Sequence, residues 1–258
     1  MTHHTHIESL AVSPLSPTVL YAGGRDDDAF QLDQRVGVLF RSGNRGESWT
    51  LIDVGRPISI VSDIAIAPTV TETVYVATGR DPIDAPGLGV LRSENGGASW
   101  TMTLRAPVTA LAVRPDDPLT VYAAGFLLST EDWTVFRSQD GGDSWVPTTL
   151  RLGWKGVTDV VIDPLDPETV YAGTEIGLFQ SIDGGARWSR AAGALGWVSV
   201  KGLAIAARDG KTILYVGTTG GLPSIAGAEH VGRMARMDEA YVDAGVYQQT
   251  IDHRPPVG

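Results

Sequence analysis

The chain has 258 residues, 30 of them acidic and 20 basic, for a net charge of −10, and it contains no cysteine. Those figures exclude a disulfide framework, a thiolate zinc site and a cysteine nucleophile, and they argue against a binder of the nucleic-acid phosphate backbone. A hydrophobic content of 43% suffices for a sizeable core, and 31 glycines with 15 prolines favour many short elements joined by turns.

The chain opens on MTHHTHIESL, which lacks the basic start and apolar core of a signal peptide. The expectation is a chain that stays where it is made, or one whose leader has been trimmed from a secreted or cell-envelope protein. His3, His4 and His6 are spaced to hold a metal, but at a chain end they are expected to fray, so no metal or cofactor is expected. No apolar run reaches the roughly 18 residues of a membrane-crossing helix.

Repeat one begins with the alternating run Ile7 to Val12. It continues through Val19-Leu-Tyr21-Ala and Gly37-Val-Leu-Phe40 to the segment Ser42-Gly-Asn-Arg-Gly-Glu-Ser-Trp49. Repeat two follows the same order: Val61 to Ile66, Val74-Tyr75-Val, Gly89-Val-Leu91, then Ser93-Glu-Asn-Gly-Gly-Ala-Ser-Trp100. Repeat three has Val108 to Val113, Val121-Tyr122-Ala, Thr134-Val-Phe136 and Ser138-Gln-Asp-Gly-Gly-Asp-Ser-Trp145. Repeat four has Val157 to Ile162, Val170-Tyr171-Ala, Gly177-Leu-Phe179 and Ser181-Ile-Asp-Gly-Gly-Ala-Arg-Trp188. Repeat five keeps Val200 to Ile205, Leu214-Tyr215-Val and Gly245-Val-Tyr247 but has no box. The four boxes start 51, 45 and 43 residues apart. A fourth short strand follows each box, as in Trp49-Thr-Leu-Ile52. Four strands rich in Val, Ile and Tyr at a period of about 45 residues make a propeller blade, which buries its two faces only against other blades.

The Ser-x-Asp-x-Gly-x-x-Trp pattern resembles the Asp box, or bacterial neuraminidase repeat. The run Asp163-Pro-Leu-Asp-Pro-Glu-Thr-Val-Tyr-Ala-Gly-Thr174 followed by Gly177 to Trp188 is similar to the repeats of sortilin-like and xyloglucanase-like propellers. The resemblance covers roughly residues 7 to 250. It implies an all-β fold, a single propeller of about five four-stranded blades over residues 1–250. The blades span about 7–53, 58–104, 107–150, 156–191 and 198–250, with a long inserted loop at 222–244 and a tail at 251–258. The last blade is expected to be incomplete, with three strands, or closed by Thr2 to His6 at the N-terminus. An open ring would expose a sheet edge and invite homo-oligomers.

The boxes are expected to be structural. Each Asp or Asn at the third position accepts hydrogen bonds from its own turn, the glycines adopt angles closed to other residues, and the Trp covers the turn. The residues concerned are Ser42, Asn44, Gly46 and Trp49, then Ser93, Asn95, Gly97 and Trp100. The third and fourth sets are Ser138, Asp140, Gly142, Trp145 and Ser181, Asp183, Gly185, Trp188. Asn44 and Asn95 stand where repeats three and four have Asp, a swap that a turn tolerates and a carboxylate-dependent metal site would not.

From ladder Tyr to box Ser the separation varies from 10 residues in repeat four to 21 in repeat one, and it reaches 34 at the equivalent point of repeat five. All this variation falls in one loop type, opposite the boxes, where binding is expected. That face is predicted to carry Asp26, Asp27, Asp28, Arg80, Asp81, Trp133, Arg233 and Arg236. A short helix is expected around His230 to Glu239. Trp154 and Trp197, in the matching links Leu152-Gly-Trp154 and Leu195-Gly-Trp197, join that face. Exposed Trp stacks on sugars or anchors a protein partner; the alternative is that these rings cap the blade interfaces.

Asp63 and Asp159 share one register at the start of the first strand, which faces the channel of the predicted ring. They are the candidate catalytic pair for a glycoside hydrolase, which needs two carboxyls roughly 5 to 10 Å apart. The alternative is that they are solvated or hydrogen-bond an adjacent loop. The reading that follows is a non-catalytic scaffold holding a protein or glycan, with a xyloglucanase-like or sialidase-like glycoside hydrolase as the alternative. No sialidase Arg-Ile-Pro segment is present; Arg56-Pro57-Ile58 has another order.

Overall fold

The computed structural model describes residues 5–27, 36–68, 73–79, 89–191, 194–219, 229–232 and 245–252. The described residues form five four-stranded antiparallel sheets and one 3₁₀ turn, as expected of a five-bladed all-β propeller chain. Blade one comprises β1 (Thr5–Val12), β2 (Leu20–Asp26), β3 (Gly37–Ser42) and β4 (Thr50–Leu51). Blade two comprises β5 (Val61–Ile66), β6 (Val74–Thr78), β7 (Gly89–Ser93) and β8 (Thr101–Leu104). Blade three comprises β9 (Val108–Val113), β10 (Val121–Leu127), β11 (Asp132–Ser138) and β12 (Val146–Pro147). Blade four comprises β13 (Val157–Ile162), β14 (Val170–Thr174), β15 (Gly177–Ser181) and β16 (Ser189–Arg190). Blade five comprises β17 (Val200–Arg208), β18 (Lys211–Thr218), β19 (Glu229–Gly232) and β20 (Gly245–Asp252). In the first four, spatial order follows chain order.

Blade five corrects the expectation of an incomplete or N-terminally closed sheet. Its order is β17-β18-β20-β19, so a strand from within the insertion doubles back to cover β20, with Glu229 opposite Gln248 and His230 opposite Tyr247. The N-terminal residues Thr5 and His6 instead pair with Asp26 and Arg25 in blade one. The helix expected from His230 is replaced at its start by β19; the rest of that segment lies outside the described residues. The physical reason is the outer edge of β20, whose backbone groups need partners, and β19 supplies them.

Each first strand carries a β-bulge at the same place. The extra residue is Glu8, Ser62, Thr109, Thr158 or Lys201, the second residue of each apolar run. A bulge re-aims the following side chain, here the position of Asp63 and Asp159.

The chain divides into two compact units. One is Met1–Glu131 with Phe136–Pro147, the other Asp132–Val135 with Thr148–Gly258. In the first unit, Tyr21, Leu39, Val61, Ile64, Val74 and Leu91 pack blade one against blade two. Tyr75, Val90, Val108, Leu111, Val121 and Phe136 pack blade two against blade three. In the second unit, Tyr171, Leu178, Val200, Leu214 and Val216 join blades four and five. The ladder tyrosines 21, 75, 122 and 171 are all buried, each contributing on the order of 1.5–3 kcal/mol through its apolar ring. Close approach requires small residues behind them. A Cβ on Gly23 would meet Val61 Cγ1 at 2.3 Å, and one on Gly173 would meet Val200 Cγ1 at 2.7 Å.

Candidate functional site

Asp63 and Asp159 do the same structural job, one in each unit. Asp63 Oδ1 accepts the Ile64 N–H at 2.8 Å and the Ser9 hydroxyl at 3.1 Å, while its Oδ2 accepts the Leu111 N–H at 2.8 Å. It therefore ties β5 to both β1 and β9. Asp159 Oδ1 accepts the Val160 N–H at 2.8 Å, and its Oδ2 accepts the Leu203 N–H of β17 at 2.7 Å. The bulge residue beside each completes the clamp. Ser62 Oγ donates to the Val108 carbonyl at 2.6 Å, and Thr158 Oγ1 donates to the Val200 carbonyl at 3.1 Å. Burial pushes the Asp63 carboxyl above the ordinary carboxylate range, although its backbone and Ser9 hydrogen bonds pull the other way. The sequence signal for this clamp was present in Val61-Ser-Asp63 and Val157-Thr-Asp159; repeats three and five have Ala110 and Gly202 at the Asp position.

The boxes close on themselves. In box three, Ser138 Oγ donates to Asp140 Oδ1 at 2.7 Å and accepts the Gly142 N–H at 2.8 Å. Asp140 also accepts the Ser144 N–H at 2.9 Å and the Ser144 hydroxyl at 2.5 Å, and these bonds hold its carboxyl down at about 2. Asp183 is lowered by its bonds from the Arg187 N–H and the Ser181 hydroxyl. In box one Asn44 accepts the Ser48 N–H at 3.0 Å and donates to the Ser48 hydroxyl at 2.9 Å, so the amide satisfies the same turn. Gly46, Gly97, Gly142 and Gly185 all have φ between 87° and 94°, a left-handed conformation closed to most side chains. Each of the tryptophans 100, 145 and 188 donates its indole N–H to the carbonyl of that glycine.

A cassette of Arg over Tyr precedes the boxes. Arg41 lies 5.9 Å from the Tyr21 ring and Arg137 5.8 Å from the Tyr122 ring. Arg92 and the Tyr75 hydroxyl both donate to the Gly141 carbonyl of the next box, at 2.6 and 2.9 Å. Desolvation raises the Tyr75 phenol to about 12.

The residues predicted for the binding face fall into three groups. Asp28, Arg80, Asp81, Arg233 and Arg236 lie outside the described residues. Asp26 ends β2, and Asp27 accepts from Arg25 Nε at 2.8 Å while Arg25 also pairs with Glu8 at 3.0 Å. Of the three non-box tryptophans, Trp133 is 5% exposed, and its backbone N–H donates to the Gly153 carbonyl at 2.8 Å. Trp154 is 63% exposed at the tip of a turn closed by the Lys155 N–H to the Leu152 carbonyl, and braced by the Gly153 N–H to Asp132 at 3.0 Å. Trp197 is 73% exposed at the end of the 3₁₀ turn Ala194–Trp197. The Arg190 guanidinium sits 4.4 Å from its ring and 4.8 Å from the Phe179 ring, and Arg190 also donates to the Ile176 carbonyl. Among the described residues, no group of three or more His, Asp or Glu could hold a metal, and no helix is long and apolar enough to cross a membrane.

No family model matches the chain, and no curated protein matches it in sequence. Solved structures do match in fold. An ancestral GH74 enzyme superposes with a TM-score of 0.65 at 23% identity, covering 84% of this chain and 28% of that one. The GH74 xyloglucanase of Xanthomonas campestris gives 0.63 at 19% identity, covering 88% and 37%. YCF48 bound to a D1 peptide gives 0.53 at 14% identity, covering 97% and 78%. This chain thus spans about a third of the length of the GH74 enzymes it resembles. The likeness supports a β-propeller fold; the sortilin-like resemblance rests on the repeat motif alone.

Proposed function

We propose that the protein is a non-catalytic β-propeller scaffold that holds a protein or glycan partner on the long-loop face opposite the boxes. The observation that carries this reading is the use of Asp63 and Asp159. Asp63 accepts the N–H groups of Ile64 and Leu111 and the Ser9 hydroxyl, and Asp159 accepts the N–H groups of Val160 and Leu203; bonds that join neighbouring strands in this way support a structural clamp over a general acid or nucleophile. Trp154 and Trp197 support the binding half. Both are exposed at matching links between repeats and are held by short, hydrogen-bonded or 3₁₀ turns, so a partner gains aromatic contact at little entropic cost.

The hydrolase alternative draws on the fold likeness to GH74 enzymes, at identities that speak only for the fold. The partners named in the solved structures, a D1 peptide and laminin, belong to YCF48 and nidogen; they make a protein partner a natural first probe. A homo-oligomer is a further form such a partner could take. The deciding experiment combines a glycan array with crosslinking in source cells, each with wild type and with Trp154→Ala and Trp197→Ala. Partner or glycan signal lost in either variant supports the scaffold reading. Hydrolysis of a xyloglucan or sialoside panel, abolished by Asp63→Asn, would replace it with the enzyme.

A further inference from the structure

We infer that Asn95, in the second box turn, is a self-modification site that converts to aspartate, and that the turn supplies the groups promoting the change. The chain has two asparagines, Asn44 and Asn95, and both stand at the third position of a box. Glycine follows only the second: box one reads Asn44-Arg45 and box two reads Asn95-Gly96. An asparagine followed by glycine is open to attack by the next backbone nitrogen, because glycine has no Cβ to obstruct the approach. Asn95 is exposed to water, and Gly96 holds a left-handed φ of 64°.

The box adds to that intrinsic lability. Asn95 Oδ1 accepts the Ser99 N–H at 2.9 Å and the Ser93 hydroxyl at 3.0 Å, so two donors polarise the Cγ carbonyl. The same two donors are placed to hold the negative oxygen of a tetrahedral intermediate at Cγ, as an oxyanion hole does. Asn95 Nδ2 donates to the Ser99 hydroxyl at 2.9 Å, and that hydroxyl can turn to protonate the nitrogen as it departs. Box three shows the turned state: Ser144 Oγ donates to Asp140 Oδ2 at 2.5 Å. Asn44 makes the corresponding bonds to Ser42 and Ser48, so the two asparagines differ chiefly in the residue that follows.

The chemistry needs only water. Gly96 N bonds to Asn95 Cγ and gives up its proton, while the Cγ–Nδ2 bond breaks and the nitrogen leaves as ammonia with the proton passed on by Ser99. Water then adds at Cγ of the resulting succinimide, the Cγ–N bond breaks, the Gly96 N–H is restored and a carboxylate remains. One water is consumed, one ammonia is released, and nothing is oxidised or reduced. Because the donors stay on Oδ1, water is directed to Cγ and not to the main-chain carbonyl, so the product is ordinary aspartate and not isoaspartate. That product has a seat prepared. Asp140 fills the same turn position in box three, accepting the Ser144 N–H at 2.9 Å and the Ser138 hydroxyl at 2.7 Å, and Asp183 fills it in box four. Conversion thus brings box two to the pattern of boxes three and four and adds one negative charge to the net −10.

The test incubates the full folded chain at neutral pH and follows the tryptic segments 93–105 and 42–45 by mass spectrometry, beside a free synthetic peptide of sequence 93–105. A gain of about 1 Da at position 95 is expected, as aspartate, faster in the folded chain than in the peptide, with Asn44 unchanged. Ser99→Ala should slow the conversion at least about tenfold by removing the proton donor. Gly96→Arg, which copies box one, should slow it by at least as much. Both changes have precedents in the chain, since box four carries Arg187 in place of this serine and box one carries Arg45 at a φ of 61°, so both variants are expected to fold. Slower conversion in the folded chain than in the peptide, an unchanged rate in either folded variant, isoaspartate as the main product, or equal conversion of Asn44 and Asn95 overturns the proposal.

Discussion

The Asp63 carboxylate of β5 receives the Leu111 N–H of β9 at 2.8 Å, and Asp159 of β13 receives the Leu203 N–H of β17 at 2.7 Å. The two contacts are copies of one device, 96 positions apart in the chain. A bulge in the first strand turns a side chain toward the next blade and leaves a backbone donor to be met there. Asp63→Ala strands the N–H groups of Ile64 and Leu111 together, so a loss of about 2–4 kcal/mol in urea unfolding is expected. Asp159→Ala should cost a similar amount. A loss under about 0.5 kcal/mol in both variants would place them with ordinary surface substitutions and end the clamp reading.

The same carboxyl gives a pH dependence of definite sign. Burial is the largest influence on Asp63 and raises it in the folded state above its ordinary 3.8. The folded chain therefore binds this proton more tightly than the unfolded chain does. Its contribution to stability is greatest below the unfolded value and declines as pH rises through the folded one. Asp63→Asn, neutral throughout, should lack that decline. The measurement is the difference in unfolding free energy between wild type and variant from pH 3.5 upward; a difference independent of pH rules the linkage out.

Gly173 tests blade packing. Its missing Cβ would sit 2.7 Å from Val200 Cγ1 and 3.2 Å from Thr158 Oγ1, the residue that itself bonds the Val200 carbonyl. Gly173→Ala should destabilise by about 1–3 kcal/mol through overpacking. The double variant Gly173→Ala, Val200→Ala should recover part of that loss, because it removes the clashing methyl groups. Additive losses in the double variant would point to a backbone cause instead.

Strand positions and boxes were legible because each rests on a local pattern repeated four or five times. Tyr21, Tyr75, Tyr122 and Tyr171 announce a buried rung, and Ser138 to Trp145 announces a turn closed by its own side chains. What was not legible depends on contacts between repeats. Asp63 was singled out by register, but its partners Ser9 and Leu111 lie 54 and 48 residues away, and nothing in either segment marks them. Trp133 reads as exposed when grouped with Trp154 and Trp197, yet it begins the buried part of β11. The outer strand of blade five was hidden because Glu229–Gly232 carries no strand pattern of its own and is defined by pairing with β20.

Asp140 should oppose Asp63 in acid. Hydrogen bonds from Ser144 and Ser138 lower it to about 2 from 3.8, so its stabilisation is present above the unfolded value and lost as pH falls from 3.8 through about 2. Asp140→Asn reproduces boxes one and two, where an amide makes the corresponding bonds to Ser48 and Ser99. At neutral pH the variant should be close to wild type, and below pH 4 it should lose less stability than wild type does. Ser138→Ala is the contrasting change. It removes the buried hydroxyl that accepts the Gly142 N–H and should cost about 1–3 kcal/mol at either pH.

The stack of Phe179, Arg190 and Trp197 sets the last expectation. The guanidinium lies between the two rings, yet the indole is mostly exposed, so the stack stabilises the folded chain only modestly. Trp197→Ala should therefore cost no more than about 1 kcal/mol, the scale of an exposed cation–π contact. Trp154→Ala, on a solvent-facing turn, should fall within about 0.5 kcal/mol of wild type. Urea unfolding followed by far-UV circular dichroism measures both without relying on the deleted indoles. Such small costs would make the two variants clean probes of binding, because a lost partner could not be blamed on a lost fold. A cost of several kcal/mol in either would instead assign that ring to packing and remove it from the proposed binding face.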